Sequence, residues 1–426
     1  MRLRSAALAA FVAVCAVAFP THAADPLTLD DAFLRVADTH PDLRLFGARH
    51  EALKAELDRS SLRPALVAGA EVENVLGTGP ASGLDGAEIT LSLASVLERG
   101  GKLDARRTLA QSRIDALAIG REARRLDLLA EVARRYLAVV GAQREGELAQ
   151  LGVDQRDRTV AAARRRHEAG ASPESVVLTA QAAFARAELD SARARQREAA
   201  ARQHLAALWG ERNPAFEILG GDLLAVPQIA DFAVLADWLQ RTPELAQFVD
   251  QQRIGEARLQ LARSEATPDF DWQVGVRRMA DGDDFGLVGS VSIPLGTTRR
   301  AQPGIRAARA ELTALEIERE AMGLSLYSTL AEAHGRFGVA RLEAQRLGED
   351  VLPRLAKAEA AAATAYRAGA ASYLEWSSLQ AEHAAARQQQ LAAALEAQRA
   401  LIEIQRLTGQ AFVAGPGLQH NQGATP

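Results

Sequence analysis

The chain has 426 residues, 48% hydrophobic and 24% charged, enough apolar material to bury a core and too much for a disordered chain. A formal net charge of −4 argues against a generally basic nucleic-acid binder, and the single cysteine, Cys15, excludes a disulfide framework and a cysteine-based metal centre. Only 5% of residues are aromatic, and the later half is crowded with Ala, Arg, Gln and Glu, a balance of long, closely packed helices more than of a compact enzyme.

Residues 1–23 read as a secretory signal: Arg2 and Arg4 form the charged start, residues 6–19 the apolar stretch, and Thr21-His22-Ala23 a small-residue cleavage site. That stretch falls short of the ~20 residues a bilayer-spanning helix needs. Its removal would take the net charge from −4 to −6 and discard Cys15. No later run reaches ~18 apolar residues, so membrane residence would have to use strands.

The rest of the chain reads as a duplication. Gly170 and Gly369, Gln181 and Gln380, and Gly210 and Gly409 are each 199 residues apart, and Pro41 and Pro243 occupy matching places. The expected division is a first repeat over 24–210, a linker over 211–229, a second repeat over 230–410 and a flexible tail over 411–426. In each half Pro41 or Pro243 heads a helix, where its missing N–H costs nothing.

Two runs of strict period-two alternation follow, at about 64–75 and 86–97, then again at about 268–278 and 284–295. Leu66, Ala68, Ala70 and Val72 oppose Val67, Gly69, Glu71 and Glu73, and Phe270, Trp272, Val274 and Val276 oppose Asp269, Asp271, Gln273 and Arg277. After each pair the period becomes helical, over about 102–168 and 303–368. Each long helix would reach about 100 Å at ~1.5 Å per residue. A turn at Gly170 or Gly369 sends the chain back, and the two shorter helices of a half are expected to stack end to end beside the long one.

Strands of about ten residues with one apolar face fit a membrane barrel, which needs ~9–11 per strand, and also fit a soluble sheet with one wet face. Four strands cannot close a membrane barrel, whose smallest examples have ~8, so a barrel would require several copies.

The chain resembles the outer-membrane efflux protein family, the TolC-like channels, in its duplicated helix–hairpin–long-helix order, in Pro41 and Pro243, and in the Ala-Gly-Ala turns at 169–171 and 368–370. The stretches Glu71-Val72-Glu73-Asn74, Gly86 to Leu93 and Glu98-Arg99-Gly100-Gly101-Lys102 are similar to the metal-efflux, CzcC-like subgroup, although Ala94-Ser95 and Leu103 depart from its pattern. The resemblance implies a mainly α fold with membrane β structure: a homotrimer whose 12-stranded β-barrel in outer-membrane lipid continues into a 12-helix tunnel. It implies a periplasmic adaptor and an inner-membrane RND pump as partners. The implied function is passive conduction, with divalent heavy-metal cations as cargo. Drug efflux or type I protein secretion by a similar duct is the rival within transport, and a soluble periplasmic coiled-coil scaffold is the rival of another class.

The resemblance places Glu375 where family members carry an acidic ring at the periplasmic tip, making it the gate or selectivity candidate. Ser372-x-x-Glu375 is equally a capping box. Gly170, Ser172, Gly369 and Ser372 are the adaptor-docking candidates, and both glycines also suit helix ends. Glu71, Glu73, Glu88, Asp269 and Asp271 are the acidic candidates of the pore lining, with Arg277 the exception, whereas Arg164-Arg165-Arg166 reads as a solvated helix face. The histidines form no i,i+4 pair or His/Glu cluster, and no phosphate loop or nucleophile elbow is present, so no metal site, cofactor, nucleic acid or catalytic residue is expected.

Overall fold

A computed structural model of the chain describes residues 26–218 and 221–412. The signal segment at 1–23, residues 219–220 of the linker and residues 413–426 of the tail lie outside them. The first half runs α1 (Leu29–Thr39), α2 (Pro41–Ser60), β1 (Val67–Glu73), β2 (Glu88–Leu97), α3 (Lys102–Glu168) and α4 (Glu174–Ala206). The second runs α5 (Phe232–Trp238), α6 (Pro243–Ser264), β3 (Phe270–Met279), β4 (Asp284–Ser292), α7 (Thr297–Arg346), α8 (Leu352–Ala368) and α9 (Tyr373–Thr408). Thr28 and Asp31 form a reciprocal capping box on α1, and Pro41 and Pro243 stand in the first turns of α2 and α6.

α3 is continuous over 67 residues, about 100 Å at ~1.5 Å per residue. α2 lies along its first part, held by Arg113–Glu56 at 2.5 Å and by an Arg124–Asp42 pair. α4 lies along its later part, where Arg197 meets Glu145 at 3.2 Å and Arg135 donates to the His204 carbonyl at 2.8 Å. The two short helices therefore stack end to end beside the long one.

The second long helix departs from the expectation of one run over 303–368. It begins earlier, at Thr297, and carries Pro303 inside it. It is then broken by a π turn at Leu347–Val351. Pro353 has no N–H to return to the carbonyl four residues back, and the wider turn absorbs that loss. Gly348 faces Gln390 of α9 so closely that a Cβ there would lie 2.5 Å from Nε2.

The four strands form one antiparallel sheet in the order β1-β2-β3-β4, with β1 and β4 as free edges. The register aligns Ala70, Leu91, Val276 and Leu287 across one face, and Glu71, Thr90, Arg277 and Gly286 across the other. The strands are shorter than their alternating runs, because Asn74 leaves β1 at φ 56° and Pro64 and Pro294 cannot donate to a ladder.

The core lies midway along the helices, where α1, α5 and the 207–218 segment wrap them. One cluster joins Val132, Tyr136 and Val139 of α3 to Leu205 and Leu395, and another joins Leu330 and Phe337 of α7 to Leu235 and Ile404. Among the described residues no helix is long and apolar enough to cross a membrane.

Candidate functional site

The apolar face of the sheet is bare. Leu287 is 90% exposed, Phe285 70% and Leu91 63%, with Val72, Val274 and Val291 also exposed. A contiguous exposed apolar surface of this kind marks contact with lipid or with another chain.

The polar face sorts the acidic candidates by their partners. Arg277 of β3 reaches across β2, pairing with Glu88 at 2.7 Å and with Glu73 of β1 at 2.8 Å, while its Nε donates to the Thr90 hydroxyl at 2.9 Å. Glu71 and Asp271 are exposed on the same face, without an ion pair among the described residues. Asp269 belongs elsewhere: it precedes β3 and is committed to the joint between sheet and helices.

That joint is built by Glu98-Arg99-Gly100-Gly101-Lys102. The chain turns from β2 into α3 through two consecutive left-handed residues, Gly100 at φ 72° and Gly101 at φ 73°. Asp269 accepts the Arg99 backbone N–H at 2.9 Å and the Lys102 ammonium at 2.7 Å. Arg106 grips Glu98 with two bonds of 2.5 and 2.8 Å, and Arg99 lies over the Phe270 ring at 4.6 Å. Partial burial disfavours charge on Asp269, but the Lys102 and Arg99 hydrogen bonds and the charges of Lys102 and Arg106 outweigh it and hold its carboxyl below the usual range. The motif quoted for the subgroup thus forms the bonded corner between sheet and helices in this fold.

At the opposite end the two Ala-Gly-Ala turns close alike. Gly170 donates to the His167 carbonyl and Ala171 to that of Arg166, both at 2.8 Å; Gly369 and Ala370 repeat the pattern onto Tyr366 and Ala365. These are Schellman closures, with Gly170 at φ 71° and Gly369 at φ 83°. Ser372 caps α9 by accepting the Glu375 N–H at 3.2 Å. The Glu375 carboxylate makes no return bond; it is exposed and has no ion pair among the described residues, next to Leu374, which is 77% exposed. Ser172 contributes its carbonyl to the His167 ring at 3.0 Å, and Pro173, not a hydroxyl, precedes α4.

Arg166 is not a solvated side chain. It crosses from the first tip to the second, donates to the Tyr366 carbonyl and stands 4.8 Å over the Tyr366 ring. Tyr366 stacks on Trp376 at 5.0 Å and meets Tyr373 edge-on at 6.3 Å. The clue in the sequence was three aromatics within eleven residues of a chain otherwise poor in them.

Toward the middle of the helices, polar pairs join α3 to α9 and α9 to α8, and Gln155 of α3 also reaches Glu359 of α8. Arg156 donates to Gln380 at 2.9 Å, Gln380 donates to Thr159 at 3.1 Å, and His383 meets Glu359 at 2.6 Å. Among the described residues no group of three or more His, Cys, Asp or Glu is placed to hold a metal ion.

The comparisons with known proteins agree with this architecture. The family described as "Outer membrane efflux protein" matches residues 35–211. The chain is 28% identical to the cobalt-zinc-cadmium resistance protein CzcC of Cupriavidus metallidurans over 357 residues, 84% of each chain. It is 30% identical to protein CyaE of Bordetella pertussis over 342 residues, 76% of this chain and 71% of that one. Among solved structures, CusC superposes with a TM-score of 0.75 at 17% identity, covering 90% of this chain and 92% of that one. With a bare apolar sheet at one end and long paired helices leading away from it, the chain belongs to the outer membrane efflux protein family: it is an outer-membrane channel whose helices project into the periplasm, a passive conduit and not an enzyme.

Proposed function

We propose that this channel is the outer-membrane duct of a tripartite efflux system and passes divalent heavy-metal cations outward. In this reading three copies close a 12-stranded barrel and a 12-helix tunnel. The carrying observation is the four-stranded sheet with an exposed apolar face and two free edges. Unpaired strand edges are not tolerated in lipid, and four strands fall below the ~8 of the smallest membrane barrels. Three sheets joined β4 to β1 meet both demands. The halves 24–210 and 230–410 then act as two repeats per copy, and residues 1–23 as the export signal.

The cation assignment rests on Glu71 and Asp271 on the polar strand face, on the exposed Glu375 at the tip, and on the likeness to CzcC. Three Glu375 carboxylates around one axis would attract cations and repel one another, favouring a tip that parts when engaged. Gly170 and Gly369, whose added Cβ would meet no backbone, together with Ser172 and the capping Ser372, form the surface on which a periplasmic adaptor would seat, with an inner-membrane RND pump supplying the energy.

A strain lacking the chain is expected to become sensitive to cobalt, zinc or cadmium salts and to recover on complementation. Unchanged metal tolerance, with raised sensitivity to organic drugs or loss of a secreted protein, would assign the duct to those cargoes instead.

A further inference from the structure

The Arg277 clamp carries an inference about permeation, which rests on the reading of the polar sheet face as the barrel lumen. Glu73 and Glu88 are direct cross-strand partners in the register, an arrangement of like charges that destabilises a strand pair. Both carboxylates are nevertheless kept, and one guanidinium from β3 serves the two of them. Its third bond, to Thr90, is to its own cross-strand neighbour, and Thr90 is 2% exposed, so the stem is seated before the fork reaches outward. Asn74, just past the end of β1, donates to the other oxygen of Glu88 at 3.0 Å.

The cluster lies at the end of the sheet farthest from the helices. β1 and β2 meet there through the 74–87 loop, and β3 and β4 through 280–283. In the lumen reading it is therefore at the outlet. The polar face carries Glu71, Glu73, Glu88, Asp271 and Asp284 against Arg277 as the one cation on that face among the described strand residues. We propose that Arg277 is a selectivity-determining residue of the outlet: it neutralises the Glu73–Glu88 pair and limits how strongly the barrel favours and retains cations. An outlet lined by unmatched carboxylates would hold a departing divalent cation, whereas conduction requires entry that is favourable and release that is easy. The clamp leaves Glu71 and Asp271, deeper in the barrel, and the single Asp284 at the rim as the unpaired attractive charges among the described strand residues.

The test is reversal potential in planar bilayers under a potassium chloride gradient at low salt, with intact trimers checked by heat-modifiable migration on gels. Arg277→Gln is expected to raise the cation-over-anion permeability ratio by at least about twofold, with zinc blocking current at lower concentration. The double variant Glu73→Gln/Glu88→Gln, which frees the guanidinium, is expected to move the ratio the other way. Arg277→Lys, which keeps the charge, is expected to hold the wild-type ratio. If the Gln variant does not assemble, a lowered ratio in the double variant beside an unchanged ratio in Arg277→Lys decides the matter. Conducting trimers with one common ratio in every variant would overturn the role of Arg277 and leave the duct standing. A wild-type chain with neither trimer nor conductance would overturn the duct itself.

Discussion

Arg166 links two turns that are 199 residues apart in the chain, and it does so with both faces of its chemistry: the fork bonds a backbone carbonyl and the plane covers a tyrosine ring. Removing a cation–π contact and a charged hydrogen bond costs about 1–3 kcal/mol. Arg166→Ala is therefore expected to raise the single-channel open probability by about tenfold in planar bilayers, and Arg166→Lys, which lacks the planar fork, to recover little of the loss. An unchanged open probability in Arg166→Ala would show that the tips are held by the helices alone. Long-range partnerships of this kind leave no trace in a periodic pattern. Arg166 sits in a run of three arginines, and only the fold shows that one of them turns inward. The same holds for Asp269 and for Glu73 and Glu88: the alternation placed them near the sheet, but their partners, Lys102 and Arg277, come from other elements. Glu375 differs, since its Ser372 cap is local and was readable three residues upstream.

At the scale of elements, two glycines with the same backbone angle make different demands. Gly100 has φ 72° and a Cβ there would lie 2.6 Å from Thr267, whereas Gly170 has φ 71° and open space around it. Left-handed strain alone costs about 1–2 kcal/mol in either case. Gly170→Ala is expected to lower the temperature at which the assembled channel dissociates in detergent by a few degrees at most. Gly100→Ala, which also drives a methyl into Thr267, is expected to lower it much further or to prevent assembly. Equal effects would mean that the corner between β2 and α3 yields. The helices and strands themselves were legible because their periods, near 3.6 and 2, persist for many residues. What escaped was the interruption of the second long helix. Its causes, Gly348 and Pro353, stand within an alanine-rich stretch whose apolar spacing continues across them.

The whole molecule depends on which face of the sheet meets lipid. Leu287→Arg on the apolar face places a charge at about the middle of β4, at a cost of about 2–4 kcal/mol per chain if that point lies at the bilayer midplane. Ser290→Arg, on the polar face of the same strand, is expected to insert normally. Outer-membrane fractionation separates the two outcomes, and equal insertion of both would mean that the faces are misassigned. The oligomer was the least legible level, because a free strand edge states that something must join it and not how many copies do so. Between sheet and tip the two halves also differ as mechanical members. A pull at the first tip travels along α3 as along an unbroken strut, with the butted ends of α2 and α4 splinted beside it. In the second half the same pull must pass Leu347–Val351, where the turns are wider and a glutamine side chain fills the place of a methyl. The strut with that joint is expected to yield first, moving the α8–α9 tip under load while the α3–α4 tip stays in line with the sheet.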